Sequence, residues 1–155
     1  MLFQVLMAVA GLFALFSLGF SKDYYARFIV LLMCVSVTLT LLSIPTLKTV
    51  GLVLYSVSLV LTIVYALLKS EFSARKRSLL LLLAIPVFIA LMFQLNQWPA
   101  VNIMYGLTGL SLISALFIFI GGIGAYKSEL GILAIIIADA LIHVVIYFQW
   151  QLYSF

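Results

Sequence analysis

Residues 130–150 read LGILAIIIADALIHVVIYFQW, an apolar run with a single acidic residue and a single histidine. A helix needs about 20 apolar residues to cross the roughly 30 Å hydrocarbon core of a bilayer, and it must pair its backbone polar groups internally. This stretch therefore predicts a membrane-spanning helix. The rest of the chain repeats the same pattern.

Applied to the whole chain, this criterion predicts six spans separated by short polar breaks. The spans run over Leu2 to Phe20, Tyr24 to Ser43, Leu47 to Leu68, Leu79 to Leu95, Ala100 to Ile120 and Leu130 to Trp150. Short connections make consecutive helices antiparallel neighbours. We therefore expect residues 1–155 to form a single integral membrane domain, an all-α compact bundle of about six transmembrane helices with short loops.

The composition excludes several classes of function. The chain is 67% hydrophobic and 8% charged, whereas soluble domains are about 45–50% apolar and about 25% charged. The longest stretch without strong hydrophobicity runs only from Lys69 to Ser78. A soluble enzyme domain, a nucleotide-binding domain or a receptor ectodomain needs a polar segment of roughly 50 residues or more, so we expect none of these.

The basic residues predict the orientation of the bundle. Loops on the cytoplasmic side retain Lys and Arg, and an external N-terminus places seven of the eight basic residues inside, leaving Lys48 outside. Both termini are then periplasmic or external, and a bacterial inner membrane fits best. Because no soluble fold displays the basic residues, the net charge of +4 indicates topology, and we expect no nucleic-acid partner.

The sixth span carries the candidate site. Asp139 and His143 are four residues apart and so share one helix face, which Tyr147 continues one turn further. Asp139 is twelve residues from Lys127, or about 18 Å into the membrane. A carboxylate there costs on the order of 2.5–3.5 kcal/mol, which makes it a candidate proton, ion or substrate site. The alternative is that the pair only joins helices by hydrogen bonds.

The third span predicts a polar partner surface for this pair. Small and hydroxylated residues recur there at intervals of four and three, which places them on one helix face. This face can line a hydrated path or bond to the pair, or it can be an ordinary packing face. Its members are Gly51, Tyr55, Ser58, Thr62 and Tyr65, and Asn102 in the fifth span can add an amide.

The small residues of the fifth span predict close helix contacts. In lipid, helices associate by packing, and small residues allow their backbones to approach. One face carries Thr108, Ser111 and Ala115, and another carries Gly106 and Gly109. We therefore expect both faces of this helix to be buried.

Catalysis, cofactors and metals are not expected. The spans hold one carboxylate where an aspartyl intramembrane protease needs two, and no Gly-x-Ser-x-Gly elbow for a serine hydrolase is present. A single histidine cannot supply both axial ligands of a haem. Asp139, His143 and the lone Cys34 are too few and too dissimilar for a metal site.

These observations favour a small inner-membrane transport-type protein that handles protons, ions or a small solute through Asp139 and His143. The alternative is a non-transporting integral subunit that stabilises a larger membrane complex, and an intramembrane lipid enzyme ranks third. The chain is too small to enclose a large path alone. We therefore expect self-association or a membrane protein partner within the lipid bilayer.

Overall fold

The computed structural model describes residues 2–42 and 44–153, and every regular element in these ranges is helical. Met1, Ser43, Ser154 and Phe155, which include the predicted end of the second span, lie outside the described residues. The all-α helical bundle predicted from the sequence is confirmed. Its helices are α1 (Leu2–Ser17), α2 (Tyr24–Leu41), α3 (Pro45–Leu68), α4 (Ala74–Leu95), α5 (Val101–Leu107), α6 (Gly109–Ile120) and α7 (Leu130–Tyr153), with a 3₁₀ turn over Ile123–Tyr126.

The helices have the length and apolarity of a multi-pass membrane protein. Five segments are long and apolar enough to cross a membrane: α2, α3, α4, the combined α5 and α6, and α7. The first helix has 16 residues, which corresponds to about 24 Å. Five of the six predicted spans therefore reach a membrane-crossing length, and α1 is the short member of the bundle.

Local capping explains where the helices begin. The Oδ1 atom of Asp23 accepts hydrogen bonds from the backbone N–H groups of Tyr25 (2.9 Å) and Ala26 (3.3 Å), which starts α2. Ser73 caps α4 by accepting from the backbone N–H of Lys76 at 3.2 Å. As a result α4 begins five residues before the predicted Leu79, because a side-chain cap, rather than hydropathy, decides the first turn.

Two glycines mark the closest helix contacts. A Cβ atom at Gly51 of α3 would lie 2.8 Å from the carbonyl oxygen of Ser36 and 2.8 Å from the backbone nitrogen of Thr40, both in α2. A Cβ at Gly131 of α7 would lie 2.5 Å from Oγ of Ser17 at the end of α1. These positions need glycine because the neighbouring helix occupies the space of a side chain.

Serine hydroxyls join α4 to α6 inside the bundle. Ser111 donates to the carbonyl oxygen of Leu83 and Ser114 to that of Leu79, each at 2.7 Å. Leu83 lies one turn before Pro86, whose missing N–H interrupts the hydrogen bonding of α4. Hydroxyls of a neighbouring helix commonly serve the backbone near such an interruption.

The two predicted faces of the fifth span differ. Thr108, Ser111 and Ala115 are buried, as expected. A Cβ at Gly106 would lie 3.2 Å from the ring of Tyr147, so this position is closely packed. A Cβ at Gly109, however, would have no atom of the described residues within 4 Å. The expectation that both faces are buried is therefore wrong at Gly109.

Candidate functional site

Helix α7 carries Asp139 and His143 into the interior of the bundle. Nδ1 of His143 lies 3.6 Å from Oδ2 of Asp139, and the two side chains are only 7% and 14% exposed. Asp139 is ten residues beyond Glu129, which directly precedes α7. Asp139 therefore lies about 15 Å along the helix axis from Glu129.

An aromatic ring from α5 holds the imidazole in place. The ring of Tyr105 stacks on that of His143, with centroids 4.6 Å apart and planes inclined by 15°. Both residues are at least nine-tenths buried. Stacking restricts the rotation of the imidazole and leaves its edge, with the two ring nitrogens, free to point at polar neighbours.

The fifth span is interrupted beside this pair. Helix α5 ends at Leu107, α6 begins at Gly109, and Thr108 stands between them. The Thr108 hydroxyl donates to the carbonyl oxygen of Tyr105 at 2.6 Å and lies 3.4 Å from that of Ala140, the residue after Asp139. Thr108 keeps right-handed helical dihedral angles, with φ −65° and ψ −13°, so the backbone stays helical across the interruption.

A third polar group reaches the pair from α3. The hydroxyl of Tyr55 interacts electrostatically with the Asp139 carboxylate, although the two groups fall short of full hydrogen-bond geometry. Among the described residues, the Tyr55 hydroxyl, Oδ2 of Asp139 and Nδ1 of His143 are buried atoms without a completed hydrogen bond. Buried polar atoms are nearly always bonded, so these three atoms make up an unusual polar centre in the interior of the bundle.

Among the described residues, no hydrogen bond joins the other predicted site residues to the pair. Ser58 and Thr62 are fully buried, but their hydroxyls donate to carbonyl oxygens of their own helix at 2.8 Å. Tyr147 packs on Gly106, and its hydroxyl accepts from Nε2 of Gln151 at 3.2 Å. Asn102 is half-buried in α5. Of the predicted set, the structure brings Tyr55 together with Asp139 and His143.

Tyr65, predicted as part of the same face, belongs to a second polar centre. Its hydroxyl lies 3.1 Å from Oδ2 of Asp23 and 3.0 Å from Oε1 of Glu129. Lys69 forms an ion pair with Asp23, and Nζ of Lys76 lies 2.9 Å from Oε2 of Glu129. We call Asp23, Tyr65, Lys69, Lys76 and Glu129 the basic-end cluster, because the loops that carry most Lys and Arg residues meet here.

The two acids of this cluster are not among the predicted site residues. The side chain of Asp23 is 9% exposed and that of Glu129 is 2% exposed. Each directly precedes a helix, where a negative charge is favoured by the helix dipole, and the whole chain has only four acidic residues. An acid placed before a span in so apolar a chain is the signal that could have identified them.

Glu129 also affects a tyrosine outside the spans. Burial raises the pKa of Tyr126, the nearby guanidinium of Arg75 lowers it, and the carboxylate of Glu129 raises it again, so that the pKa is higher than usual. Tyr126 lies in the 3₁₀ turn before α7. The basic-end cluster therefore extends its electrostatic influence into the loop between α6 and α7.

Comparison of the chain with models of protein families, with curated proteins and with solved structures finds no match.

Proposed function

We propose that this protein is a small inner-membrane transport-type protein that moves protons, or couples proton movement to a small solute, through Asp139 and His143. The observation that carries the proposal is the meeting of three buried polar atoms without completed hydrogen bonds, those of Tyr55, Asp139 and His143, from α3 and α7.

The chemistry of the pair suits a proton more than a larger ligand. A neutral imidazole presents one nitrogen as an acceptor, and an added proton turns that nitrogen into a donor. With the proton on Nδ1, His143 donates to Oδ2 of Asp139, and the present separation of 3.6 Å closes to a charge-assisted hydrogen bond. One proton shared by the pair thus switches it between two bonded states.

The proposal also covers the orientation of the protein in the membrane and its partners. Seven of the eight basic residues lie in the loops and the adjoining helix turns at one end of the bundle, which favours a cytoplasmic position for that end and an external position for both termini. The chain encloses little space by itself, so the proposal includes self-association or a membrane protein partner. No catalysis is proposed.

The test is proton movement into vesicles that contain the purified protein. A pH-sensitive dye is trapped inside, a pH gradient is imposed, and wild-type protein is compared with Asp139→Asn, which keeps the shape of the carboxylate without its charge. We expect Asp139→Asn to reduce the flux to that of protein-free vesicles. Lys48→Gln, a neutralising change at an exposed position in the first turn of α3, away from the basic loops, serves as the control and should retain wild-type flux.

Two results would overturn the proposal. Wild-type flux in Asp139→Asn would promote the non-transporting subunit, with the pair joining helices. Equal proton flux in vesicles with and without the wild-type protein would also favour the non-transporting subunit. This comparison is made first without any solute and then with candidate small solutes added. Conversion of added phospholipid by the wild-type protein in these vesicles would favour the lipid enzyme instead.

A further inference from the structure

The basic-end cluster lies where four segments of the chain converge. Asp23 precedes α2, Tyr65 and Lys69 are at the end of α3, Lys76 is in the first turn of α4, and Glu129 precedes α7. Asp23 and Tyr65 are 42 positions apart in the sequence, and Tyr65 and Glu129 are 64 apart. Two carboxylates from distant segments thus share one phenol.

The phenol of Tyr65 can satisfy both carboxylates only if the cluster holds one further proton. Its oxygen lies 3.1 Å from Asp23 and 3.0 Å from Glu129, but a phenol has a single O–H to donate. It therefore donates to one carboxylate, and the second hydrogen bond is completed when the other carboxyl is protonated and donates to the phenol oxygen. This carboxyl–phenol–carboxylate arrangement is the geometry of a proton relay.

The burial of the two acids gives the relay a direction. The side chain of Asp23 is 9% exposed, whereas that of Glu129 is 2% exposed. Asp23 is thus the acid nearer to solvent and Glu129 the inner one.

We propose that Asp23, Tyr65 and Glu129 form a proton relay that loads the Asp139 and His143 site from the basic end of the bundle. A proton from water binds the Asp23 carboxylate. The new O–H bond of Asp23 then breaks as its proton passes to the phenol oxygen, and the original O–H bond of Tyr65 breaks as its proton passes to Oε1 of Glu129. The phenol of Tyr65 is neutral before and after, and the net result is the transfer of one proton from Asp23 to Glu129.

The charged neighbours of the cluster tolerate this transfer. When Glu129 takes a proton, Nζ of Lys76 loses an anion but keeps its hydrogen bond to the carbonyl oxygen of Ala125 at 2.9 Å. It also stays over the rings of Phe72 and Tyr126, 4.3 and 5.2 Å from their centroids. The remaining charged or titratable groups around the cluster are Lys69, which pairs with Asp23, and Arg27, Glu71, Arg75, Arg77 and Tyr126.

The register of α3 and α7 links the relay to the inner site. Tyr55 precedes Tyr65 by ten residues on α3, and Asp139 follows Glu129 by ten on the antiparallel α7, so both steps measure about 15 Å in the same direction. The buried hydroxyls of Ser58 and Thr62 lie between the two tyrosines, at intervals of about one helical turn. The transfer from Glu129 to the inner site rests on the proposed function.

The decisive variant is Tyr65→Phe, which removes the relay oxygen and keeps the ring that packs edge-on against Phe72 at 5.2 Å. In the vesicle assay we expect its proton flux to fall by about 100-fold, the lower end of what a positioned proton-transfer group contributes. Tyr25→Phe is the control, because it removes a hydroxyl from an exposed tyrosine at the same end; its flux should match wild type.

A second measurement does not depend on transport. Infrared difference spectra of the purified protein between two pH values should contain a protonated-carboxyl band that disappears in Glu129→Gln. We expect this band to shift in Tyr65→Phe, because the Glu129 carboxyl loses its phenol partner, and to stay unchanged in Tyr25→Phe. An unshifted band in Tyr65→Phe overturns the relay, whatever the flux.

The outcomes separate the relay from the proposed function. Loss of flux in Asp139→Asn with unchanged flux in Tyr65→Phe overturns the relay and leaves the proposed function standing. Unchanged flux in Asp139→Asn overturns the proposed function, and the infrared band alone then decides whether the relay exists. If Tyr65→Phe does not fold, Asp23→Asn interrupts the relay at its other end while its amide oxygen still caps α2, and the same reduction in flux is expected.

Discussion

The hydroxyl of Tyr65 lies 3.0 Å from Oε1 of Glu129, although 64 positions separate the two residues in the sequence. The contact joins the end of α3 to the start of α7. With the bond to Asp23 and the two lysine ion pairs, it closes the basic end of the bundle with polar interactions. Farther along the helices the bundle is held by apolar packing and by the serine hydroxyls that join α4 to α6, so the two regions should respond differently to substitution.

Truncation of the inner acid should destabilise the bundle strongly. Glu129→Ala leaves the ammonium of Lys76, which is largely buried, without its anion, and breaking a buried ion pair costs about 3–5 kcal/mol. Glu129→Gln keeps hydrogen-bonding capacity and should cost clearly less. Unfolding in mixed micelles of increasing denaturing detergent measures both, with the exposed Glu71→Ala as the control. Equal stability of Glu129→Ala and Glu71→Ala would contradict a structural role for the ion pair.

Two glycines should respond in opposite ways to alanine. Gly51→Ala places a methyl group 2.8 Å from backbone atoms of α2, so the helices must separate, at a cost of about 1–3 kcal/mol. Gly109→Ala meets open space and should be neutral or stabilise the protein by about 0.5–1 kcal/mol. Thermal unfolding in detergent compares the pair. A larger loss for Gly109→Ala would be inconsistent with the described packing.

The hydrogen bond of Ser111 between helices should make a small, measurable contribution to the free energy of unfolding. Ser111→Ala removes a hydrogen bond from α6 to the carbonyl oxygen of Leu83 in α4, and such contacts average about 0.6 kcal/mol in membranes. Ser36→Ala removes a hydroxyl that bonds only within its own helix, to Met33 at 2.7 Å, and should cost less. The same detergent unfolding curves distinguish them, and a smaller effect of Ser111→Ala would argue against the bond.

Substitutions of the histidine should separate packing from proton chemistry. His143→Phe keeps a flat ring against Tyr105, 4.6 Å away, and should unfold near the wild-type temperature. His143→Ala loses the stack and should be about 1 kcal/mol less stable. Both lack Nδ1, so both should lose proton flux in vesicles. Retained flux in His143→Phe would show that Asp139 acts without the imidazole.

The orientation of the bundle is testable with reporters. A reporter enzyme fused to the C-terminus should be active only in the form that requires an external location, since the basic loops favour the cytoplasm. The same reporter inserted after Ser70, in the basic loop between α3 and α4, should give the cytoplasmic signal. Identical signals from both fusions would mean that one span does not cross the membrane, and α1, with 16 residues, is the shortest.

Much of the fold is predictable from short-range sequence features. The apolar runs predict the helices, because the thickness of the membrane fixes the number of apolar residues that a spanning helix needs. Their ends were less predictable: α4 starts at Ala74, since Ser73 supplies a cap, and the fifth span is divided at Thr108, which no hydropathy pattern indicates.

The candidate site was predictable only in part, for the same reason. Asp139 and His143 share a face because a helix returns to the same side every 3.6 residues, and this spacing can be read from the chain. The five residues predicted to share one face of α3 are all buried, as expected for a single face that packs inside the bundle. The sequence alone, however, placed Tyr55 and Tyr65 in one partner surface, whereas the fold assigns them to two separate polar centres.

The helical membrane class, the approximate spans, the concentration of basic residues in and beside alternate loops and the shared helix face of Asp139 and His143 can be read from the sequence. All of these depend on residues close together in the chain and on the fixed geometry of one helix. The bridge from Tyr65 to Asp23 and Glu129 and the stack of Tyr105 on His143 are visible only once the chain is folded. Those contacts depend on the rotation and depth of each helix in the bundle, which are set by the sum of many weak packing contacts across the whole chain.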